Sequence, residues 1–272
     1  MTREIESDFF APARPRIFGH RGAAGELPEN TIPSFERAVR AGALYLELDV
    51  HMTADGEVVV SHDPGLSRTC GRDRMIREST WAEVRSADAA FTFTTDGGET
   101  FPFRGRGIRI PRLVEVLASF LGVNYVIEVK QTEPSVIPAL LKVIDATGSR
   151  RRVLIASERD EVVRQVRAMA PGIPTNFPYG EVEEFLQAMA GNRPGYAPEG
   201  NALQIPPEYE GWRLVTPESI EFAHRAGVEV HVWTINDADE MNRFLDWGAD
   251  GIFTDFPARG LALVRHRANS PR

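Results

Sequence analysis

Short apolar runs and amphipathic stretches alternate along this chain with a steady rhythm. Runs rich in β-branched residues fall at 17–19, 44–50, 125–129, 153–156, 173–177, 202–205, 228–233 and 251–253. Most span about four to eight residues, which suits buried strands better than helices. A helix signal follows each run. Thr31 is expected to cap the first helix, with Pro33 in its first turn, Ile32, Phe35 and Val39 as its apolar stripe, and Gly42 as its end. Pro111 opens the second, with Leu113, Val116, Leu117 and Phe120 inward, and Val136, Leu140, Leu141 and Ile144 mark a third over 133–148. Further helices are expected near 158–169, 180–190, 217–226, 237–247 and 257–266. Thr216 before Pro217, and Asn236 with Asp239 after it, are N-terminal signals for two of them. Eight strand–helix pairs favour an α/β fold of the (β/α)₈ TIM-barrel type over an open doubly wound sheet. The open sheet usually carries a glycine-rich turn after its first strand, and GHRGAAG matches that turn poorly.

One run breaks the alternation. Residues 57–62 follow 44–50 with no room for a crossover helix, so the two runs must form an antiparallel β-hairpin, one strand more than the barrel needs. If Asp55-Gly56 is a two-residue turn, Ala54 faces Glu57 and Asp49 lies opposite His62. Residues 64–109 fit neither pattern, apart from a helical stretch near 80–87, and read as a small insertion after strand two. The whole chain, 1–272, then reads as a single barrel domain.

Composition narrows the partners. The 272 residues carry 31 Lys and Arg against 39 Asp and Glu, a net charge of −8, which argues against a nucleic-acid partner. Cys70 is the single cysteine, so an internal disulfide and a cysteine-based zinc site are excluded. No run approaches the roughly 18 apolar residues of an integral membrane segment. The start, MTREIESDFFAPARPR, lacks the apolar core of a signal peptide, and a cytoplasmic location is expected. Oligomeric state leaves no trace in the sequence.

In a barrel, chemistry collects where strands end. His20 and Arg21 end the first strand, pairing a near-neutral base with a permanent cation. Glu47 and Asp49 share one face of the second strand, opposite Leu44, Leu46 and Leu48, and so point into the barrel. Glu128 and Lys130 share a face of the third. Three converging carboxylates make an all-oxygen set suited to Mg²⁺, Ca²⁺ or Mn²⁺. Lys130 is either a partner for these acids or a phosphate ligand. His62, with Asp63 behind it, joins the cluster through the hairpin. Among the other histidines, His51 reads as rim, His231 as packing, and His224 and His266 as helix and tail residues. Trp233 is either a wall for a substrate alcohol or barrel filling, and Ser157 and Gln204 stand near strand ends with less support.

These residues fall into a familiar order. HRGAAGELPENTIPSFERAVRAGA, then LELDVHMTADGEVVVSHDPGLSRTCG, IPRLVEVL, VIEVK and VHVWTINDADEMNRFLDWGADGIFTDFP together resemble the glycerophosphodiester phosphodiesterase family over most of the chain. The resemblance implies a barrel with an insertion after the His-Asp pair. It implies hydrolysis of glycerophosphodiesters, small-molecule substrates of lipid and glycerol metabolism, to glycerol 3-phosphate and an alcohol. One divalent cation, Mg²⁺ or Ca²⁺ with Mn²⁺ as a further possibility, is implied as cofactor. Carried over residue by residue, His20 and His62 match the general acid and base, and Arg21 and Lys130 match the phosphate-holding residues. Glu47, Asp49 and Glu128 match the metal ligands, Glu29 and Asn30 match bracing residues, and Trp233 matches an aromatic beside the glycerol. The sequence departs from the family pattern at Arg112 and Val114, and at Ser157-Glu158, where a Ser-Phe pair is common. Glu158 bears on pocket polarity and hence on substrate preference.

The chemistry suits a phosphodiester, whose negative charge repels nucleophiles until cations neutralise it. Two other readings share parts of this residue set. A phospholipase D-like barrel acting on lysolipids or sphingolipids would favour an apolar rim, and its secreted members use disulfides. A non-catalytic phosphate-binding barrel would lack at least one of the histidines or carboxylates, and none is missing here.

Overall fold

The computed structural model describes residues 7–269, so the first residues of the segment read for a signal peptide lie outside the described residues. The elements run β1 (Arg16–Gly19), α1 (Ile32–Ala41), β2 (Tyr45–Met52), β3 (Val58–Val60), α2 (Ser67–Cys70), α3 (Trp81–Ser86), α4 (Leu113–Ser119) and β4 (Asn124–Val129). There follow α5 (Ile137–Ala146), β5 (Val153–Ala156), α6 (Asp160–Met169), α7 (Tyr179–Ala190), β6 (Ala202–Ile205), β7 (Glu208–Tyr209) and β8 (Trp212–Arg213). The chain closes with α8 (Pro217–Arg225), β9 (Glu229–Val232), α9 (Ala238–Asp246), β10 (Gly251–Thr254) and α10 (Pro257–Asn269).

Seven strands form a curled parallel sheet in the order β5-β4-β2-β1-β10-β9-β6. The eighth expected strand, 173–177, is irregular. Single parallel bridges, Ile155 to Thr175 and Asn176 to Ala202, link it to β5 and β6. The local sequence explains the missing ladder. Pro174 has no N–H to donate, while the Asn176 side chain bonds both the N–H and the carbonyl of Ser157 at 3.0 and 3.1 Å. Among the described residues no helix is long and apolar enough to cross a membrane.

Alternation along β2 decides what reaches the barrel interior. Leu46, Leu48 and Val50 are buried against the helical layer with Ile127, Leu140 and Ile144. Tyr45 instead packs inside with Phe9, Phe18, Leu154 and Phe253, and Phe18 stacks on Phe253 at 4.3 Å. Each buried leucine contributes roughly 2 kcal/mol of transfer free energy, so a one-residue slip that drove Glu47 and Asp49 into the helical layer is strongly disfavoured.

The hairpin register differs from the two-residue expectation. β2 and β3 are antiparallel with Val50 opposite Val60, His51 opposite Val59 and Met52 opposite Val58. Thr53 therefore faces Glu57 across a three-residue loop, with Gly56 at φ 87°. The Thr53 hydroxyl selects this loop by donating to Asp55 at 2.6 Å and accepting the Glu57 N–H at 3.0 Å. Ser61, not His62, consequently lies opposite Asp49, to which its N–H donates at 2.9 Å.

Two caps also differ. The Thr31 hydroxyl donates to the Pro28 carbonyl at 2.6 Å and leaves α1 without a side-chain cap. Asp237, not Asn236, caps α9, because Asn236 is drawn to the end of β10. Thr216 caps α8 as its sequence suggests. Residues 64–109 lay Leu66, Ile76 and Val84 over Val59 of β3, where Ile110 just after them completes a small apolar cluster.

Candidate active site

The turn after β1 is bent by its own sequence. Gly22 sits at φ 91°, where an added Cβ would lie 2.4 Å from Ser34 Oγ. Arg21 and Asn30 hold left-handed conformations at φ 50° and 56°. Asparagine tolerates that region, but arginine there is strained and persists only when its surroundings fix it. They do. The Arg21 N–H donates to Glu47 Oε2 at 2.9 Å, and its carbonyl accepts the Asn30 N–H and the Ser34 hydroxyl, each at 3.0 Å.

His20, Arg21, Glu47, His62, Glu128, Lys130 and Trp233 line one cavity of about 170 Å³ at the end where the strands finish. A larger cavity of about 750 Å³ opens where the strands begin, around Pro171 and Gly200, and its charged lining residues among those described are Arg167, Glu199 and Glu229, without a histidine or a three-carboxylate cluster. Asp49 lies under the smaller cavity, fully buried. Carboxylate oxygens of Glu47, Asp49 and Glu128 all fall within 4.8 Å of one another. Lys130 Nζ stands 2.6 Å from Glu128 and 3.5 Å from Asp49, and Arg21 Nε is 3.2 Å from Asp49. Asn30 donates to Asp49 Oδ2 at 2.8 Å, and Arg21 donates to Glu29 at 3.0 Å.

Three acids against two fixed cations leave an excess of negative charge in a desolvated place. Burial first, and then the Asp49 charge, push Glu47 up to about 8. Burial likewise raises Glu128 despite Lys130. Burial would raise Asp49 as well, but Arg21 and Lys130 hold it below the usual carboxylate range. Asp49 Oδ1 and Arg21 Nε are buried with no hydrogen-bond partner. A buried carboxylate oxygen left without a donor, beside two further carboxylates, fits a hard divalent cation.

The histidines are each braced by an acid. His20 Nδ1 donates to Asp255 at 2.7 Å and His62 Nδ1 donates to Asp63 at 2.7 Å, while His20 Nε2 stands 3.9 Å from Glu47 Oε2. Burial would lower the His20 pKa, but the Asp255 hydrogen bond and the Glu47 charge outweigh it and raise it. Asp255 follows β10 and is fixed by Asn236 Nδ2 at 2.7 Å.

Sequence reasoning missed Asp255, although a charged residue directly after a barrel strand was the signal that found the others. It also missed Arg68 of α2. The Arg68 guanidinium takes both oxygens of Glu29 at 2.6 and 2.7 Å and both of Asp63 at 2.7 and 3.1 Å. One side chain of the insertion thus ties the support of Arg21 to the support of His62. His51 is not a rim residue. It is buried, and its Nε2 donates to the His62 carbonyl at 3.0 Å, because 47, 49 and 51 share the inward face of β2. His231 packs inside between Phe18 and Glu229, as expected. Gln204 lines the cavity, whereas buried Ser157 donates to the Val129 carbonyl.

Comparison with known proteins decides the lineage. The model of the glycerophosphoryl diester phosphodiesterase family matches residues 20–259. The chain belongs to that family. It is 32% identical over 256 residues to a glycerophosphodiester phosphodiesterase of Caldanaerobacter subterraneus, covering 92% of this chain and 97% of that one. Its fold superposes on a glycerophosphoryl diester phosphodiesterase structure from Silicibacter pomeroyi with a TM-score of 0.78 at 28% identity, covering 96% of each chain. It likewise superposes on a phosphodiesterase of Oleispira antarctica, solved with the product sn-glycerol-3-phosphate, with a TM-score of 0.75 at 24% identity and coverage of 93% and 97%. The family match begins at His20 and ends beyond Asp255, so every residue of the cavity described above lies inside it.

Proposed function

We propose that this chain hydrolyses glycerophosphodiesters to glycerol 3-phosphate and an alcohol, as a single (β/α)₈ barrel domain over 1–272 with 64–109 as an insertion. The carrying observation is convergence. Two acid-braced histidines, two fixed cations and a three-carboxylate cluster surround one small cavity in a member of this family.

In this reading Arg21 and Lys130 hold the phosphate oxygens and neutralise their charge. Glu47, Asp49 and Glu128 would hold one divalent ion, Mg²⁺ or Ca²⁺, with Mn²⁺ as the further candidate. Such an ion, when bound, polarises the phosphoryl group and offsets the charge that grows in the transition state. One histidine accepts the proton of the hydroxyl that attacks phosphorus. The other donates a proton to the departing alkoxide as its phosphorus–oxygen bond breaks. Asp255 and Asp63 fix the tautomers and stabilise whichever ring carries the positive charge. Glu29 and Asn30 brace Arg21 and Asp49, and Trp233 offers an apolar wall to the glycerol.

Phosphorus NMR of the products tests the reading. Glycerophosphocholine should yield glycerol 3-phosphate, not phosphocholine. The phosphorylated alcohol as product, or no hydrolysis of any glycerophosphodiester, would overturn it.

A further inference from the structure

His62 stands outside the ladder that leads to it. β3 ends at Val60, and the hairpin's last backbone bond on this side runs from the Ser61 N–H to the Asp49 carbonyl at 2.9 Å. Beyond that point side chains hold the chain. The Ser61 hydroxyl donates to the Asp63 carbonyl at 3.2 Å, and Arg68 reaches from α2 to the Asp63 carboxylate at 2.7 Å. Among the described residues, the His62 carbonyl takes its one hydrogen bond from the His51 ring, at 3.0 Å.

A carbonyl only accepts, so His51 Nε2 must carry a proton. His51 is buried and faces inward from the same strand as Glu47 and Asp49. Two residues of strand rise about 6.6 Å, so β2 itself spaces the acid cluster from the anchor of His62. Burying an imidazole costs desolvation that an aliphatic side chain would not incur. The backbone of His51 already pairs opposite Val59, and its ring adds nothing to that ladder. What the ring fixes is the backbone from which the His62 side chain projects. Resting on the hydrolytic reading above, we infer that His51 is a positioning residue for proton transfer, setting where the His62 ring stands while Asp63 sets how it is turned. A misplacement of about 1 Å is enough to slow such a transfer about a hundredfold. Phosphate binding should be spared, because neither Arg21 nor Lys130 bonds His51.

The test is steady-state hydrolysis of glycerophosphocholine by the full chain, with Mg²⁺ or Ca²⁺ at saturation, for wild type and three variants. In His51→Gln the amide nitrogen lies about as far from the backbone as Nε2 does; in His51→Asn it falls short, and His51→Leu has no donor. kcat should stay within about threefold of wild type in His51→Gln and fall about 10–100-fold in the other two. KM and the ion concentration for half-maximal rate should not change. Equal kcat in the Gln and Asn variants would overturn the inference. So would a loss accompanied by weaker activation by the ion, which would place the effect at Asp49. If His51→Leu does not fold, the Gln and Asn pair still decides. Wild-type turnover separates the two claims: hydrolysis indifferent to residue 51 removes only the positioning role, whereas no hydrolysis of any glycerophosphodiester removes the underlying activity.

Discussion

The two ends of the barrel each hold a buried charged network, and they are built on opposite principles. Where the strands begin, Arg16 donates to the Tyr45 hydroxyl at 2.9 Å, to Glu229 at 2.7 Å and to the Phe10 carbonyl at 2.7 Å. Glu229 in turn meets His231 Nε2 at 3.1 Å, and Gln204 reaches His231 Nδ1 at 3.2 Å. One cation faces one anion, and among the described residues no side-chain atom of this group is buried without a partner. Where the strands end, acids outnumber fixed cations, Glu47 is driven up to about 8 by burial and then Asp49, and Asp49 Oδ1 is left without a donor. A network that closes on itself stabilises the fold. One whose acids outnumber its cations costs stability and drives Glu47 to keep a proton whose place a ligand cation can take.

Mutations at the two ends should therefore separate activity from stability. The largest effect belongs to the mouth. His20→Ala and His62→Ala should each lower kcat by about 10²–10⁴-fold with little change in Tm, checked by steady-state kinetics beside calorimetry. At the other end Glu229→Ala leaves the Arg16 guanidinium buried with fewer partners. It should destabilise the fold by roughly 2–3 kcal/mol in denaturant titration while kcat holds. A large loss of turnover there would erase the contrast. Arg68→Ala should have an intermediate effect, about tenfold in kcat, because it loosens Glu29 and Asp63 without touching the reacting atoms. Restoration by Arg68→Lys to near wild type would argue for charge alone rather than the two-carboxylate fork.

The smallest effect concerns pH. Burial would raise the Asp63 pKa, but the Arg68 and His62 hydrogen bonds hold it down at about 2. A carboxylate depressed in the folded state stabilises the fold fully above its unfolded pKa of about 4, and that contribution is lost as pH falls through about 2. In Arg68→Ala the Asp63 carboxyl should titrate nearer its ordinary range, which carbon NMR of the labelled carboxyl would show. An unmoved titration would mean that His62 alone holds Asp63.

The mouth was more legible in the sequence than the devices that support it. Period-two alternation around Leu46 and Leu48 suffices to put Glu47 and Asp49 on the inner face, and strand ends pick out His20, Glu128 and Lys130. His62 was reached through a wrong register. Glycine after aspartate is compatible with a two- or a three-residue loop, and the Thr53 hydroxyl that chooses between them acts only once the loop is closed. Arg68 and Asp255 depend on which distant segments pack together, and no local period encodes that. The irregular segment 173–177 has strand-like residues, but Pro174 and the Asn176 side chain divert its backbone from a ladder.

We propose that the clustered acids at the mouth hold a cation needed for phosphodiester cleavage. The most direct measurement follows glycerol 3-phosphate release from glycerophosphocholine as Mg²⁺ or Ca²⁺ is added back to chelator-treated protein, for wild type and Glu47→Gln. Turnover should be absent without the ion, recover to saturation in wild type, and recover only at much higher ion concentration, with at least a hundredfold lower kcat/KM, in the variant. Full wild-type turnover in excess chelator would rule out a cation at these carboxylates.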